Sequence, residues 1–374
     1  MAFPSPSPAP AREVHDAAEL SALLADGAPL AGVRLQGVDL AACEAGLLQR
    51  GDLSGLVVLG GAVTPDLAAH LIGAGAILFP AAPDVPVDPY RAHLYLPEEL
   101  YAGLEQGYAG TPDARAHAWS RDAALAHDVY ASALRALHDD AMADALDEAL
   151  AGSRVVGVMG GHATARGHED FTRAAHLGER LARAGLVVAT GGGPGAMEVA
   201  NLGALAAHSP DPGVLGEALL ALAATPAFAD VTQWASVGLR VREQVLASYG
   251  AGLPPHTVGL PTWFYGHEPP NVFASGIAKF FSNAVREDGL LARCDAGVIV
   301  LPGAAGTVQE IFQAVTPRYY GTTAHAPLVL VGRDYWTRAV PVWAPLQALA
   351  RDRDLHAILH VVDRIEDAAT LVGA

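Results

Sequence analysis

Leu301-Pro302-Gly303-Ala304-Ala305-Gly306-Thr307-Val308-Gln309-Glu310 follows the apolar run Ala296-Gly297-Val298-Ile299-Val300 and leads into Ile311-Phe312-Gln313-Ala314-Val315. The apolar run predicts a buried parallel strand, and the residues from Val308 onward repeat with the period of a helix. The segment is therefore strand, glycine-rich turn, helix start. Small residues let a backbone approach a ligand closely. The helix start adds unpaired N–H groups and the positive end of its dipole, a setting that suits a phosphate. Glu310 is expected in the first turn of this helix, which would put a carboxylate beside the bound anion. The same ten residues also read as a plain tight turn, with Thr307 capping the helix and Glu310 matching its dipole.

A second window has the same form. Leu186-Val187-Val188-Ala189-Thr190 predicts a strand that runs into Gly191-Gly192-Gly193-Pro194-Gly195-Ala196-Met197-Glu198 and then a helix to about Ala207. Two such turns in one open parallel sheet can meet at the carboxyl edge of the strands, where α/β folds bind ligands. Together, Gly191–Met197 and Pro302–Glu310 resemble the LOG family, phosphoribohydrolases once labelled lysine decarboxylase-like. The usual family pattern is P-G-G-x-G-T-x-x-E, and its second glycine is Ala304 here. Glu268-Pro269-Pro270-Asn271 is similar to a loop in the longer bacterial members, the nucleotide 5′-monophosphate nucleosidases. The resemblance covers roughly Ser153 to Val331.

Composition bounds the class. The chain has 374 residues, half of them hydrophobic, enough for a large domain and a smaller one. A net charge of −17 argues against a generic nucleic-acid or anionic-membrane binder. Lys279 is the sole lysine, so Schiff-base chemistry has a single candidate, in a stretch expected to be helical with no supporting motif. Cys43 and Cys294 show neither metal spacing nor a redox pair and read as buried thiols. Without a signal segment or an apolar run long enough to span a bilayer, a cytoplasmic location is expected.

Along the chain, residues 1–13 read as a disordered tail rich in Pro, Ser and Ala. Residues 14–115 read as a small N-terminal α/β domain, with strands at Val33–Leu35, Gly55–Leu59 and Ala76–Phe79. Helices are expected near Asp39–Leu48 and Pro65–Ile72, and Gly60-Gly61 reads as a plain turn, with another phosphate turn as the alternative. Residues 116–151 predict a connecting helix or helix pair. The main domain, 152–374, opens with strand Arg154–Met159, a turn at Gly160–Thr164 and helix Glu169–Ala184. This is the start of a doubly wound, Rossmann-like parallel sheet. Val241–Leu246 reads as a candidate lid or dimer surface. Thr257–Leu260 returns to strand, and a helix is expected from Val272 to about Leu291. Strand Pro327–Val331, helix Tyr335–Leu349 and strand Ala357–Val362 close the domain.

The resemblance implies a reaction, hydrolysis of the N-glycosidic bond of AMP or of an N6-substituted AMP of cytokinin type to free base and ribose 5-phosphate. Family members pair the motif glutamate with an arginine on the preceding helix, and Arg286 stands at that spacing, in Arg286-Glu287 where Arg-Lys is usual. Glu310 and Arg286 are thus the implied catalytic residues. Gly192, Gly193, Gly195, Met197, Glu268, Asn271, Pro302, Gly303, Ala304, Gly306 and Thr307 are the implied substrate contacts. His267 and Asn271 could stack on and bond a base. No metal or cofactor is implied, and the family suggests a homodimer or larger homo-oligomer. Two other readings stay open. One is a nucleotide binder or carrier of the same fold without catalysis. The other is a dinucleotide-dependent oxidoreductase, because Gly191, Gly193 and Ala196 fit the loose G-x-G-x-x-A pattern.

Overall fold

The computed structural model describes residues 12–264, 268–321 and 326–374. Residues 1–11 of the expected tail, and His267 of the aromatic loop, lie outside the described residues. The chain forms two compact units. One runs to His93 and includes Ala133–Asp144; the other joins Leu94–Ser132 to Ala145–Ala374. The division falls after His93, where the sequence reading set it at residue 115.

The first unit carries β1 (Arg12–Val14), α1 (Ala17–Ala25), β2 (Val33–Gln36), α2 (Glu44–Leu48), β3 (Val57–Leu59), α3 (Pro65–Gly73) and β4 (Ile77–Phe79). Arg12 and Glu13, assigned to the tail from sequence, instead open the sheet. All four strands pair in parallel in the order β1-β2-β3-β4. The helix starts follow from local chemistry. The Asp16 carboxylate accepts from the N–H groups of Ala18 and Glu19, and Thr64 caps α3 ahead of Pro65. Leu20, Leu35, Leu47, Val58, Leu67 and Leu71 fill its core.

The second unit begins with α4 (Pro97–Leu100) and α5 (Pro112–Arg121); α6 (Val129–Leu150) follows in the chain, its residues Ala133–Asp144 belonging to the first unit and its two ends to the second. The expected connecting segment is therefore a helix pair. Next come β5 (Val155–Met159), α7 (Glu169–Arg183), β6 (Val187–Thr190), α8 (Ala196–Ala206), α9 (Val214–Ala223), α10 (Val231–Ala247), β7 (Thr257–Gly259) and β8 (Gly276–Ile277). The chain closes with α11 (Asn283–Arg293), β9 (Gly297–Val300), α12 (Ala305–Tyr319), β10 (Leu328–Val331), α13 (Trp343–Ala350), α14 (Leu355–Ile358), β11 (Leu359–Val362) and α15 (Ile365–Leu371). The seven strands are all parallel, in the order β11-β10-β9-β5-β6-β7-β8. From β5 the chain winds outward through β6, β7 and β8, then returns to lay β9 on the other side of β5. The fold is thus the expected doubly wound α/β sheet, and its winding reverses between β5 and β9. Every residue of β5, β6 and β9 is buried, as a sheet covered on both faces requires.

Two local expectations are corrected. The helix predicted from Val272 begins only at Asn283; residues 272–282 run extended and include β8. Arg242 Nη1 takes the carbonyls of Val272 and Ala274 at 3.1 Å each, and the Asn271 side chain accepts from the Phe273 N–H, so these groups are not free to make helical bonds. Lys279 therefore lies outside any helix, and its side chain is 1% exposed. Helix α10 buries Val241, Arg242 and Val245 on one face and leaves Glu243 and Gln244 of the candidate lid or dimer surface exposed on the other. Finally, α12 starts at Ala305 rather than near Val308, so Thr307 is not its cap and Glu310 sits in the second turn, not the first. Both cysteines are buried, as expected. No described helix is long and apolar enough to cross a membrane.

Candidate functional site

A cleft of about 830 Å³ opens at the carboxyl edge of the sheet, where the winding reverses. Three loops build its floor: 160–165 after β5, 191–193 after β6 and 302–307 after β9. The two glycine-rich turns do share one cleft, but β5 stands between their strands, so they meet across the β5 loop. That loop is locked to its neighbour by the Gly161 N–H, which donates to the Pro302 carbonyl at 3.0 Å. At Gly303 the approach is closest: a Cβ there would lie 2.2 Å from Thr307 Oγ1 and 3.0 Å from the Gly161 nitrogen. Tyr335 fixes the same turn by donating its hydroxyl to the Gly303 carbonyl at 2.8 Å.

The turn after β6 rests on a buried polar network. Thr190 Oγ1 accepts from the Gly192 N–H at 3.0 Å and donates to Asn201 Oδ1 at 2.7 Å. Asn201 Nδ2 donates to Thr257 Oγ1 at 2.7 Å, while Asn271 Nδ2 donates to Asn201 Oδ1 at 3.0 Å. The Asn271 N–H donates to the Gly192 carbonyl at 2.7 Å. Asn271 is fully buried. It holds the turn from beneath and does not line the cleft; Gly192 and Gly195 do not line it either. Gly193, Met197, Glu268, Pro302, Gly303, Ala304, Gly306, Thr307, Arg286 and Glu310 all do.

Gly195 precedes α8 with φ +75°, and a Cβ there would meet the Gly161 carbonyl oxygen at 2.7 Å. Gly195→Ala is expected to cost about 1–3 kcal/mol from the left-handed backbone, plus the shift of the β5 loop. A melting-temperature drop with loss of ligand binding checks it; an unchanged protein would refute it. Ala304 has the opposite character. Its φ is −96°, so a side chain fits, and Ala304→Gly should leave ligand affinity within about threefold.

Over this floor stand the charged groups. Ser282 caps α11, which brings Arg286 inward with 7% exposure, not outward as a surface arginine. Arg286 Nη1 is 3.3 Å from Glu310 Oε1, and Nη2 is 2.9 Å from Glu287 Oε1 and donates to Asn283 Oδ1 at 3.0 Å. Arg286 Nε and Glu287 Oε2 are buried with no hydrogen-bond partner among the described residues. Both residues line the cleft. Burial first, and then the charge of Glu287, push the Glu310 carboxyl up to about 7, against the pull of Arg286. Burial likewise raises Glu287. A carboxyl that titrates near neutrality suits proton transfer. At the start of α12 no side chain caps the helix, which leaves its first N–H groups to the cleft.

Several cleft residues escaped the sequence reading: Gly160, His162, Thr164, Tyr335 and Glu287. Gly160-Gly161 after the first strand of the domain was the available signal for the first three, since a glycine turn after a central strand is itself a ligand position. Tyr335 carried no signal.

No curated protein matches this chain in sequence. Among solved structures, the molybdenum cofactor carrier protein of Chlamydomonas reinhardtii aligns with 59% of this chain and 96% of its own at 16% identity and a TM-score of 0.35. The molybdenum cofactor binding protein of the phototrophic bacterium Rippkaea orientalis aligns with 59% and 96% at 17% identity and the same TM-score. Residues 153–247, about a quarter of the chain from β5 through α10, match the model of the SLOG cluster4 family, and in that stretch the chain is similar to that family.

Proposed function

We propose that the cleft binds a nucleoside 5′-monophosphate, AMP or an N6-substituted AMP, and hydrolyses its N-glycosidic bond to free base and ribose 5-phosphate. The observation that carries this reading is the Arg286–Glu310 pair, 3.3 Å apart and buried above two glycine-rich turns. The 5′-phosphate sits on the Gly303–Thr307 turn, against the open N–H groups and dipole of α12. The β6 turn supports the ribose. Cleavage builds oxocarbenium character at C1′, and the Glu310 carboxylate stabilises that charge and takes a proton from the attacking water. Arg286 holds Glu310 in place and keeps its carboxylate form within reach near neutral pH. Fixing the phosphate at the start of α12 and the carboxylate on its second turn supplies orientation, which contributes up to about 7–11 kcal/mol in the best cases. The oxidoreductase reading is weaker, since the G-x-G-x-x-A turn follows β6 and not the first strand of this sheet, β5.

A second reading has one observation of its own. Glu287 and Glu310 share the guanidinium of Arg286, Glu268 adds a further negative charge near Glu310, and a protonated Glu310 would bind a nucleotide without activating water. Chromatography of purified protein with AMP, GMP, CMP, UMP and isopentenyl-AMP separates the two. Free base from the AMP-type substrates is expected. Binding of AMP with no base released from any of them at pH 8 would leave only a nucleotide carrier.

A further inference from the structure

The same cleft holds a second ionisable pair that the mechanism above does not use. His162 Nδ1 lies 3.1 Å from Glu268 Oε1. His162 belongs to the loop after β5 and Glu268 to the loop after β7, so two strand ends bring them together. The imidazole stands edge-on to Phe228, ring centroids 6.3 Å apart, which restrains its swing. A Cβ on Gly193 would lie 3.5 Å from Glu268 Oε2, and one on Gly191 would lie 3.8 Å from Glu310 Oε1. The Glu268 and Glu310 carboxylates therefore stand at the two ends of one three-residue turn, each with a nitrogen partner. A ribosyl group over that turn has a carboxylate–arginine pair at one end and a carboxylate–imidazole pair at the other.

We propose that His162, oriented by Glu268, is the general acid that protonates the departing base; this rests on the N-ribosidase reading of the cleft. When the C1′–N bond breaks, its electron pair goes to the base nitrogen, and an unprotonated base is a poor leaving group. The imidazolium gives its proton to that nitrogen, while water adds to C1′ and loses its proton to Glu310. Return of that proton to His162 restores both groups, and the net change is one water consumed. Glu268 facing Nδ1 leaves Nε2 as the position that carries the transferable proton. Glu268 is a positioning residue: it fixes the ring. The other titratable or charged groups lining the cleft are His168, Asp170, Arg286, Glu287, Glu310 and Tyr335, and among the described residues none of these forms an ion pair with the His162 ring.

The test compares AMP with 4-nitrophenyl ribofuranoside 5-phosphate, whose leaving anion is stable without a proton. His162→Gln should lose about 10²–10⁴-fold in kcat on AMP and less than about threefold on the nitrophenyl substrate. Glu268→Gln should show the same split, smaller on AMP. Equal losses on the two substrates would make His162 a binding or structural residue, and no loss on AMP would remove it from the chemistry; either overturns the assignment. Wild-type protein that cleaves neither substrate takes down the N-ribosidase reading itself, and His162 with it.

Discussion

Replacing Glu310 by Gln should abolish turnover and at the same time make the protein more stable above pH 7. The activity loss is expected to reach at least about 10³-fold, because the amide can neither balance charge at C1′ nor accept a proton from water. The stability gain follows from the same burial. Glu310 is pushed up to about 7 in the folded protein from an ordinary value of 4.5, so the native state holds a proton that the unfolded chain releases. That contribution is complete below about pH 4.5 and is lost as the pH rises through 7. Above pH 7 the buried carboxylate costs on the order of 3 kcal/mol relative to a neutral group. The variant and the wild type should therefore melt together at pH 4, and the variant should melt higher at pH 8. A variant that retains activity, or one that is destabilised equally at both pH values, would exclude Glu310 as the working carboxylate. The same titration predicts that wild-type turnover rises with pH through about 7, as Glu310 ionises.

The second large effect is on folding. Lys279, the sole lysine, is buried with its Nζ 2.6 Å from Asp113 Oδ1 and 5.2 Å from the centroid of the Trp263 ring. Asp113 also accepts from Trp263 Nε1 at 2.8 Å and from the Tyr108 hydroxyl at 2.6 Å. The two partners are not equivalent. Asp113→Ala leaves an ammonium in an apolar site without a counter-ion and should cost about 3–5 kcal/mol. Lys279→Met removes that charge and leaves Asp113 with two donors, so it should cost less by at least about 2 kcal/mol. Burial lowers the Lys279 pKa from 10.5 against the pull of Asp113 and, after it, of Glu268, so losing Asp113 lowers it further. The Asp113→Ala deficit should therefore shrink as the pH approaches 10, where the unfolded chain also begins to lose this proton. Chemical denaturation of both variants at pH 7 and pH 9.5 is the check. Equal costs, or a deficit that does not change with pH, would refute the ion-pair account. This burial also gives the lysine a structural task, and it lies outside the cleft.

Local chemistry was legible wherever a strand met a turn. Val155–Met159, Val187–Thr190 and Gly297–Val300 are continuous apolar runs closed by glycine, and such runs have few alternatives to a buried parallel strand. The motif glutamate and its arginine were legible through family resemblance. Residues 272–282 were not, because Val, Phe, Ala and Ile serve a helix or an extended segment equally well. The choice was made by the Arg242 side chain taking two carbonyls from another element. The role of Asn271 was hidden for a similar reason: an asparagine in a proline loop reads as a ligand contact until its partners, Gly192, Gly193 and Asn201, are known.

The sequence by itself determined the buried strands and the two glycine-rich turns, because each depends on residues within one strand–turn–helix unit; the pairing of Glu310 with Arg286 was implied by the family resemblance alone. Only the tertiary structure decided that β9 returns to the side of β5, so that a third loop carrying His162 lies between those turns. Only packing decided that Arg286 faces inward, shares its charge between Glu287 and Glu310, and leaves the latter poised near neutrality. Strand order and burial depend on contacts between residues more than 100 positions apart, and no local period in the chain records them.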